Sequence, residues 1–195
     1  MVAGRCERTV RTVAGAIPEP LQVFRRRIMN AYQQARTIEE VAKRELMPWL
    51  MMRSEDVQEV PPGLFLQRLA GDFIILISGK KYGFELKAEE KHTNNLYLEV
   101  WSNLPELTPG WMITSRADYL GYYFLDLKVL YIARMRQLQH WAFGADGKPG
   151  QIYRFPEKQQ SKYSQLNFTT GRCVPVAELQ RAGLLKEFTD EDRRQ

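Results

Sequence analysis

Residues 72–87 read DFIILISGKKYGFELK and have the form of a β-hairpin. After the leading Asp72 the first strand is apolar enough for a protein core, and SGKK is a turn that folds the chain back antiparallel. Because side chains alternate along a strand, Glu85 and Lys87 lie on one face of the sheet and their neighbours on the other. The segment therefore predicts a hairpin that can bring Asp72 next to Glu85, with a lysine beside both.

Two carboxylates and a lysine in this arrangement suggest phosphate chemistry. The carboxylates can hold a hard divalent cation, and the lysine can orient or deprotonate a water that attacks a phosphate. A simpler alternative is that Glu85 and Lys87 form a solvated pair on an exposed strand face, while Asp72 only begins a strand.

Asp72 followed by Glu85-x-Lys87 resembles the PD-(D/E)xK signature of the nuclease superfamily that contains restriction enzymes, phage exonucleases and Holliday-junction resolvases. The resemblance covers roughly residues 37–133, and Gly71 stands where that family usually has proline. It implies an α/β fold with a restriction-endonuclease-like core, in which a mixed central sheet is flanked by helices. It also implies that Asp72 and Glu85 bind Mg²⁺, with Mn²⁺ as a substitute, and that Lys87 positions or activates the water.

Residues 37–40, TIEE, have the form of a capping box and predict a helix that runs to about residue 46 and ends at Pro48. One face of this helix carries three apolar side chains and one carboxylate: Ile38, Val41, Ala42 and Glu45. The resemblance implies a further acid from the first helix, and Glu45 fits that role best. Alternatively, Glu45 lies at the edge of the stripe and reaches water or pairs with Lys43 or Arg44. Glu39 is interpreted as part of the cap and the surface.

Residues 96–101, LYLEVW, alternate as a strand that can lie beside the strand of Glu85. Glu99 is therefore a second candidate for completing the metal shell or for positioning water. The alternative is an exposed strand carboxylate.

Further along the chain, residues 116–120 predict a short helix in which Arg116 and Asp118 are available for substrate contact. Residues 122–133 predict a second hairpin, and residues 135–141 predict a helix. This succession of helices and strands fits a mixed sheet with helices on its faces better than a doubly wound parallel sheet.

Length and composition favour a single domain. The 195 residues, of which 44% are hydrophobic, can bury one sizeable core. We expect an N-terminal arm and helix in residues 1–36, the nuclease-like core in 37–142, and a C-terminal extension in 143–195 that packs on it.

A formal net charge of +5 favours a polyanionic partner. Three lysines near the expected site are candidates for contact with nucleic acid: Lys80, Lys81 and Lys91. Lys80 and Lys81 are alternatively turn residues that discourage pairing at a sheet edge.

The 2 cysteines are far apart and form no CxxC motif, so they predict no zinc site and suit a reducing compartment. No apolar run of membrane-spanning length or signal-peptide core is present in the sequence. We therefore expect a cytoplasmic protein without membrane contact, in a bacterial cell or a phage-infected host, where a phage or mobile element would use such a nuclease.

These features predict a metal-dependent nuclease that hydrolyses DNA, with a homodimer as one possible form because cutting both strands commonly uses two active sites. The alternative is a non-catalytic nucleic-acid-binding or inhibitor protein on a nuclease-like scaffold.

Overall fold

The computed structural model describes residues 37–63, 65–164 and 167–194, so the expected arm of residues 1–36 lies outside the described part. In chain order the helices and strands are α1 (described over residues 37–52), β1 (Asp56–Glu59), α2 (Phe65–Ala70), β2 (Phe73–Ile77), β3 (Lys80–Glu89), β4 (Asn95–Asn103), β5 (Thr108–Pro109), α3 (Trp111–Thr114), β6 (Tyr119–Phe124), β7 (Val129–Arg134), α4 (Met135–Phe143), β8 (Gly144–Ala145), β9 (Lys148–Pro149), a 3-10 helix (Ile152–Arg154), β10 (Glu157–Ser164), β11 (Asn167–Pro175), α5 (Val176–Arg181), β12 (Lys186–Phe188) and α6 (Asp190–Arg194).

The fold is mixed α/β, and its centre is a 6-stranded sheet in the order β1-β2-β3-β6-β7-β12. Strands β3 and β6 are parallel, whereas the other neighbouring pairs are antiparallel. A second sheet has 4 strands in the order β10-β11-β4-β5. The expectation of a mixed central sheet flanked by helices is confirmed. No helix in the described ranges is long and apolar enough to cross a bilayer.

The hairpin predicted from residues 72–87 is confirmed. Strands β2 and β3 pair antiparallel, with Phe73 opposite Phe84. The turn consists of Ser78 and Gly79, whose φ angles are 50° and 72°, as expected for a two-residue hairpin turn. Lys80 and Lys81, which were predicted as part of the turn, belong to β3 instead. The second predicted hairpin, β6–β7, is also confirmed, although β6 begins at Tyr119.

The strand predicted at residues 96–101 is confirmed as β4, but its position and that of one helix differ from the prediction. The strand with Glu99 does not lie beside β3, because β2 occupies one edge of β3 and β6 the other. Strand β4 instead packs Leu98 and Val100 over the face of the central sheet that carries Leu120 and Tyr122. The short helix predicted at residues 116–120 lies earlier, at α3, and the aromatic residues that follow pair with β3 as strand β6.

Helix α1 covers the other face of the sheet. Its buried side chains pack against apolar residues of β2 and β3: Ala42, Leu46, Trp49 and Leu50 with Phe73, Ile75, Phe84 and Leu86. The predicted helix is confirmed, but its predicted end at Pro48 is wrong, since the helix continues to residue 52. A proline inside a helix costs about 3 kcal/mol. Burying Trp49 and Leu50, at about 1.5–3 kcal/mol each, offsets that cost.

We expect Pro48→Ala to stabilise the protein. Pro48 is exposed, so alanine adds no strain in the core and restores the N–H that can bond the Arg44 carbonyl in the preceding turn. The helix gains about 3 kcal/mol, and the greater freedom of the unfolded chain removes about 1 kcal/mol, which leaves about 2 kcal/mol. Urea unfolding would measure the difference. Met51→Ala, at a neighbouring exposed position, should leave stability nearly unchanged. A less stable Pro48→Ala protein would contradict this account.

Candidate active site

Asp72 is held at the start of β2 by the backbone of β3. Its N–H donates to the Phe84 carbonyl at 2.8 Å, and its Oδ2 accepts a hydrogen bond from the Leu86 N–H at 2.8 Å. Its Oδ1 accepts one from the Gln67 amide at 3.2 Å. Only 8% of Asp72 is exposed. The carboxylate of Asp72 is therefore fixed beside the backbone of residues 84–86, as expected from the hairpin predicted in the sequence.

Gly71 makes this close approach possible. Its φ is +77°, and it bridges to Phe84 so closely that a Cβ would lie 2.5 Å from the Phe84 carbonyl oxygen. Proline, whose φ is fixed near −65°, cannot take this conformation. The departure from the usual proline of the PD-(D/E)xK pattern therefore has a local structural reason.

Glu85 and Lys87 emerge on the same face of β3. The Lys87 ammonium lies 2.7 Å from Oε1 of Glu85, and Oε2 accepts a hydrogen bond from the Ser115 hydroxyl at 3.2 Å. Leu86, between them, packs in the core beneath α1. Glu85 is only 8% exposed. A solvated pair on an exposed strand face does not fit this burial.

Two lysines balance the buried carboxylates. Burial acts to lower the pKa of Lys87, but the negative charges of Glu85, Asp72 and Glu39 outweigh it, and the pKa is raised above its usual value. The pKa of Lys43 is likewise raised, because its interactions with Glu59 and Asp72 outweigh its partial burial. Lys87 is therefore a firmly held cation, which can donate to a water or a phosphate oxygen and is a poor base in this state.

A pocket of about 550 Å³ lies next to Lys87. Its lining combines carboxylates, lysines and aromatic rings: Glu39, Glu89, Glu99, Lys87, Lys91, Trp111 and Tyr122 are among them. The Lys87 ammonium lies 5.9 Å from the centre of the Trp111 ring, and Tyr122 donates a hydrogen bond to Glu89. A ligand in this pocket would meet Lys87 at its wall.

Of the two acids proposed to complete the metal shell, the structure brings one to this pocket. Glu99 is buried and lines it, although it reaches it from the second sheet. Glu45 instead accepts a hydrogen bond from the Tyr123 hydroxyl at 2.6 Å. Because Tyr123 follows Tyr122, which pairs with Lys87, its side chain lies on the opposite face of the sheet. Glu45 is thus exposed and away from Glu85.

Glu39 is the acid of α1 that the sequence interpretation missed. Glu39 lines the pocket, and its negative charge helps to raise the pKa of Lys87. Glu39 and Lys43 are four residues apart and share one helix face. Lys43 lies 3.6 Å from Oδ1 of Asp72, so this face of α1 points to the site. The four-residue spacing of Glu39 and Lys43 could have indicated this shared face, but Glu39 was interpreted as part of the helix cap.

The three candidate lysines separate into two groups. Lys91 lines the pocket beside Lys87. Lys80 and Lys81 are exposed at the start of β3, next to the hairpin turn. Lys81 is four residues before Glu85, or about 13 Å along the strand. The structure therefore does not bring Lys80 and Lys81 to the pocket.

Asp72 and Glu85 supply the hard oxygen donors that Mg²⁺ prefers, and Mg²⁺ is often bound by one or two carboxylates with water and substrate phosphate completing the shell. The donor set fits that mode. No group of three or more His, Cys, Asp or Glu side chains in the described ranges is placed to hold a metal ion. The predicted set of metal ligands, in which Glu45 or Glu99 joins Asp72 and Glu85, is therefore not assembled in this structure.

We expect Gly71→Ala to destabilise the protein and displace Asp72. Alanine pays about 1–2 kcal/mol for the left-handed conformation, and its methyl group also clashes with the Phe84 backbone, which cannot move without disturbing β3. Urea unfolding should show a loss above about 2 kcal/mol.

Gly79→Ala is the matched control. Gly79 has a φ of +72°, but a methyl group added to it would meet nothing within 4 Å, so only the conformational cost applies. Equal losses of stability in the two variants would show that the contact with Phe84 contributes nothing.

No protein-family model, curated protein or solved structure matches this chain. The functional interpretation therefore depends on the residues and the geometry of the site, and the resemblance to PD-(D/E)xK nucleases stays a prediction.

Proposed function

We propose that this protein is a metal-dependent nuclease that hydrolyses DNA phosphodiester bonds by a PD-(D/E)xK-type mechanism. The observation that carries the proposal is the ion pair of the buried Glu85 with the half-buried Lys87, 2.7 Å apart, with Asp72 bound to the intervening Leu86 N–H. Burying charged groups costs free energy, and such clusters beside a pocket are characteristic of functional sites.

The arrangement of elements supports a restriction-endonuclease-like core. Helix α1 covers one face of the sheet, β1, β2 and β3 follow as antiparallel neighbours, and β6 lies parallel to β3. The two proposed metal ligands are Asp72, directly before β2, and Glu85 of β3. Strand β4 and the second sheet would then be an elaboration that closes the pocket.

In this proposal Asp72 and Glu85 hold Mg²⁺, for which Mn²⁺ can substitute. The bound ion would lower the pKa of a water and offset negative charge on the reacting phosphate. Gln67 and the Leu86 N–H keep the Asp72 carboxylate in place, and the Ser115 hydroxyl does the same for Glu85.

Lys87 would interact with the attacking water and with the phosphate of the substrate. As a cation at the pocket wall it can donate to the attacking water and to a phosphate oxygen, and so stabilise the charge that develops during the reaction. Lys91 and Trp111, in the same lining, are suited to contact the backbone and the bases of a strand. The net charge of +5 favours DNA as the polyanionic partner. A homodimer would supply the second site needed to cut a duplex on both strands.

One observation favours the alternative, a non-catalytic nucleic-acid-binding or inhibitor protein. Each oxygen of Asp72 and Glu85 already accepts a hydrogen bond or an ion pair from the protein. A scaffold that has lost its metal would use the carboxylates in this way, to satisfy buried donors. Cleavage assays separate the two functions.

We expect Mg²⁺-dependent cleavage of labelled DNA, tested on linear duplex, single strand and four-way junction, with the same single strand as RNA. EDTA should abolish cutting. Glu85→Gln and Lys87→Gln should each lower the cleavage rate about a hundredfold or more, because each removes a charge next to the reacting phosphate.

Glu45→Gln is the matched control. It removes the same carboxylate charge from the opposite face of the sheet and keeps an acceptor for Tyr123, so its cleavage rate should equal that of the wild type. DNA binding without cutting, unchanged in Glu85→Gln and Lys87→Gln, would overturn the nuclease proposal in favour of the non-catalytic one.

A further inference from the structure

A second pocket, of about 690 Å³, lies at the end of the central sheet where β3 and β6 begin and β7 ends. Three arginines line it together with polar and aromatic side chains: Arg116, Arg134 and Arg136 with Gln137, Gln139, His140, Tyr82 and Tyr119. We call it the arginine pocket. Asp118 is the carboxylate in its lining.

The positive charge of the arginine pocket is available to a ligand. Within the described ranges, none of its three arginines has a carboxylate within salt-bridge distance. Arg116 donates to the Ile113 carbonyl at 3.3 Å, and the Arg134 guanidinium lies 5.9 Å from the centre of the Tyr119 ring. Asp118 already accepts a hydrogen bond from the Gly83 N–H at 2.7 Å. The pocket therefore has three exposed guanidiniums against one partly engaged carboxylate.

This combination suits the phosphate of a nucleotide. Guanidinium groups bind phosphate oxygens through paired hydrogen bonds. Tyr82 and Tyr119 contact each other edge to face, with ring centres 5.8 Å apart, and supply aromatic surface beside the charges. A concave site of this volume has room for one nucleotide, whereas the backbone of a continuous duplex needs an open groove. An acidic peptide would match the charge but would make no use of the rings.

The arginine pocket is connected to the candidate active site through one segment. Ser115 donates to Glu85, and Arg116 is the next residue. Gln139 of the pocket donates to the Ser115 carbonyl at 3.0 Å. Arg134 pairs with Tyr119, which pairs with Phe84, so these side chains lie on the face of the sheet opposite Glu85, and the connection to Glu85 runs through Ser115 and Arg116. Two strand spacings, about 10 Å, thus separate the backbones of Arg134 and Phe84.

We propose that the arginine pocket binds a nucleotide through a phosphomonoester, either at the phosphorylated end of a nucleic-acid strand or on a free nucleotide. The binding itself does not depend on cleavage, so the inference stands apart from the proposed nuclease activity.

The test measures binding by fluorescence anisotropy, with short labelled single strands that carry a 5′-phosphate, a 3′-phosphate or hydroxyls at both ends. It uses the full chain with Glu85→Gln, in EDTA, so that no cutting interferes. We expect one phosphorylated strand to bind about tenfold more tightly than the hydroxyl strand, because the terminal phosphate adds charge-assisted hydrogen bonds. The double variant Arg134→Gln/Arg136→Gln should abolish that difference, and Arg134→Lys/Arg136→Lys should restore only part of it.

Lys128→Gln/Lys148→Gln removes the same number of charges from two exposed positions, the turn before β7 and strand β9, and should keep the tenfold preference. Competition with adenosine monophosphate identifies the source of the phosphate. Full displacement of the strand assigns the site to free nucleotides, and weak displacement assigns it to strand ends. Equal affinity for phosphorylated and hydroxyl strands with no binding of the free nucleotide would overturn the proposal, as would equal losses in the arginine and lysine double variants.

Cleavage assays then keep the two proposals distinguishable. Loss of the phosphate preference with Mg²⁺-dependent cutting intact would count against the arginine pocket alone. A phosphate preference without any cutting in the wild type would count against the nuclease proposal alone.

Discussion

The close pass of Gly71 over the backbone of Phe84 is the constraint on which the rest of the structure depends. It lies just before the antiparallel pairing of β2 with β3 and sets Asp72 against the Leu86 N–H. The same register sends Leu86 into the core beneath α1 and sends Glu85 and Lys87 to the other face. A slip of one residue would exchange these faces, so that the core and the site would be lost together.

The local parts of this arrangement could be predicted from the sequence. The glycine turn and the apolar run define the hairpin, and strand alternation places Glu85 beside Lys87 without any tertiary information. The position of β4 could not be predicted, because the predicted hairpin left one edge of β3 open, and nothing local shows that the distant β6 takes this edge instead of β4. The choice between Glu39 and Glu45 failed for a related reason. Both lie on α1, and the rotation of the helix is fixed by Trp49 and Leu50, beyond its predicted end.

The charged side chains of the site, two lysines and four carboxylates, depend on each other. Lys43 lies between Glu59 and Asp72, and Lys87 lies against Glu85 within the field of Asp72 and Glu39. Removing one partner from a buried pair leaves the other uncompensated, which costs more than the pair contributes. A divalent cation would shift this balance, since it would compete with the lysines for the same carboxylates. The lysines therefore hold the carboxylates in place through ion pairs that a bound cation would have to replace.

Ser115 and Arg116 give a physical reason for the two pockets to act on one ligand. Ser115 fixes the rotamer of Glu85, while the following side chain lines the arginine pocket. Gln139 binds the carbonyl of Ser115 from the side of the arginine pocket, so α4 braces the segment that supports Glu85. A phosphate bound by Arg116 would therefore contact the same short segment, which connects α3 to β6. One short segment thus both supports Glu85 and forms part of the wall of the arginine pocket.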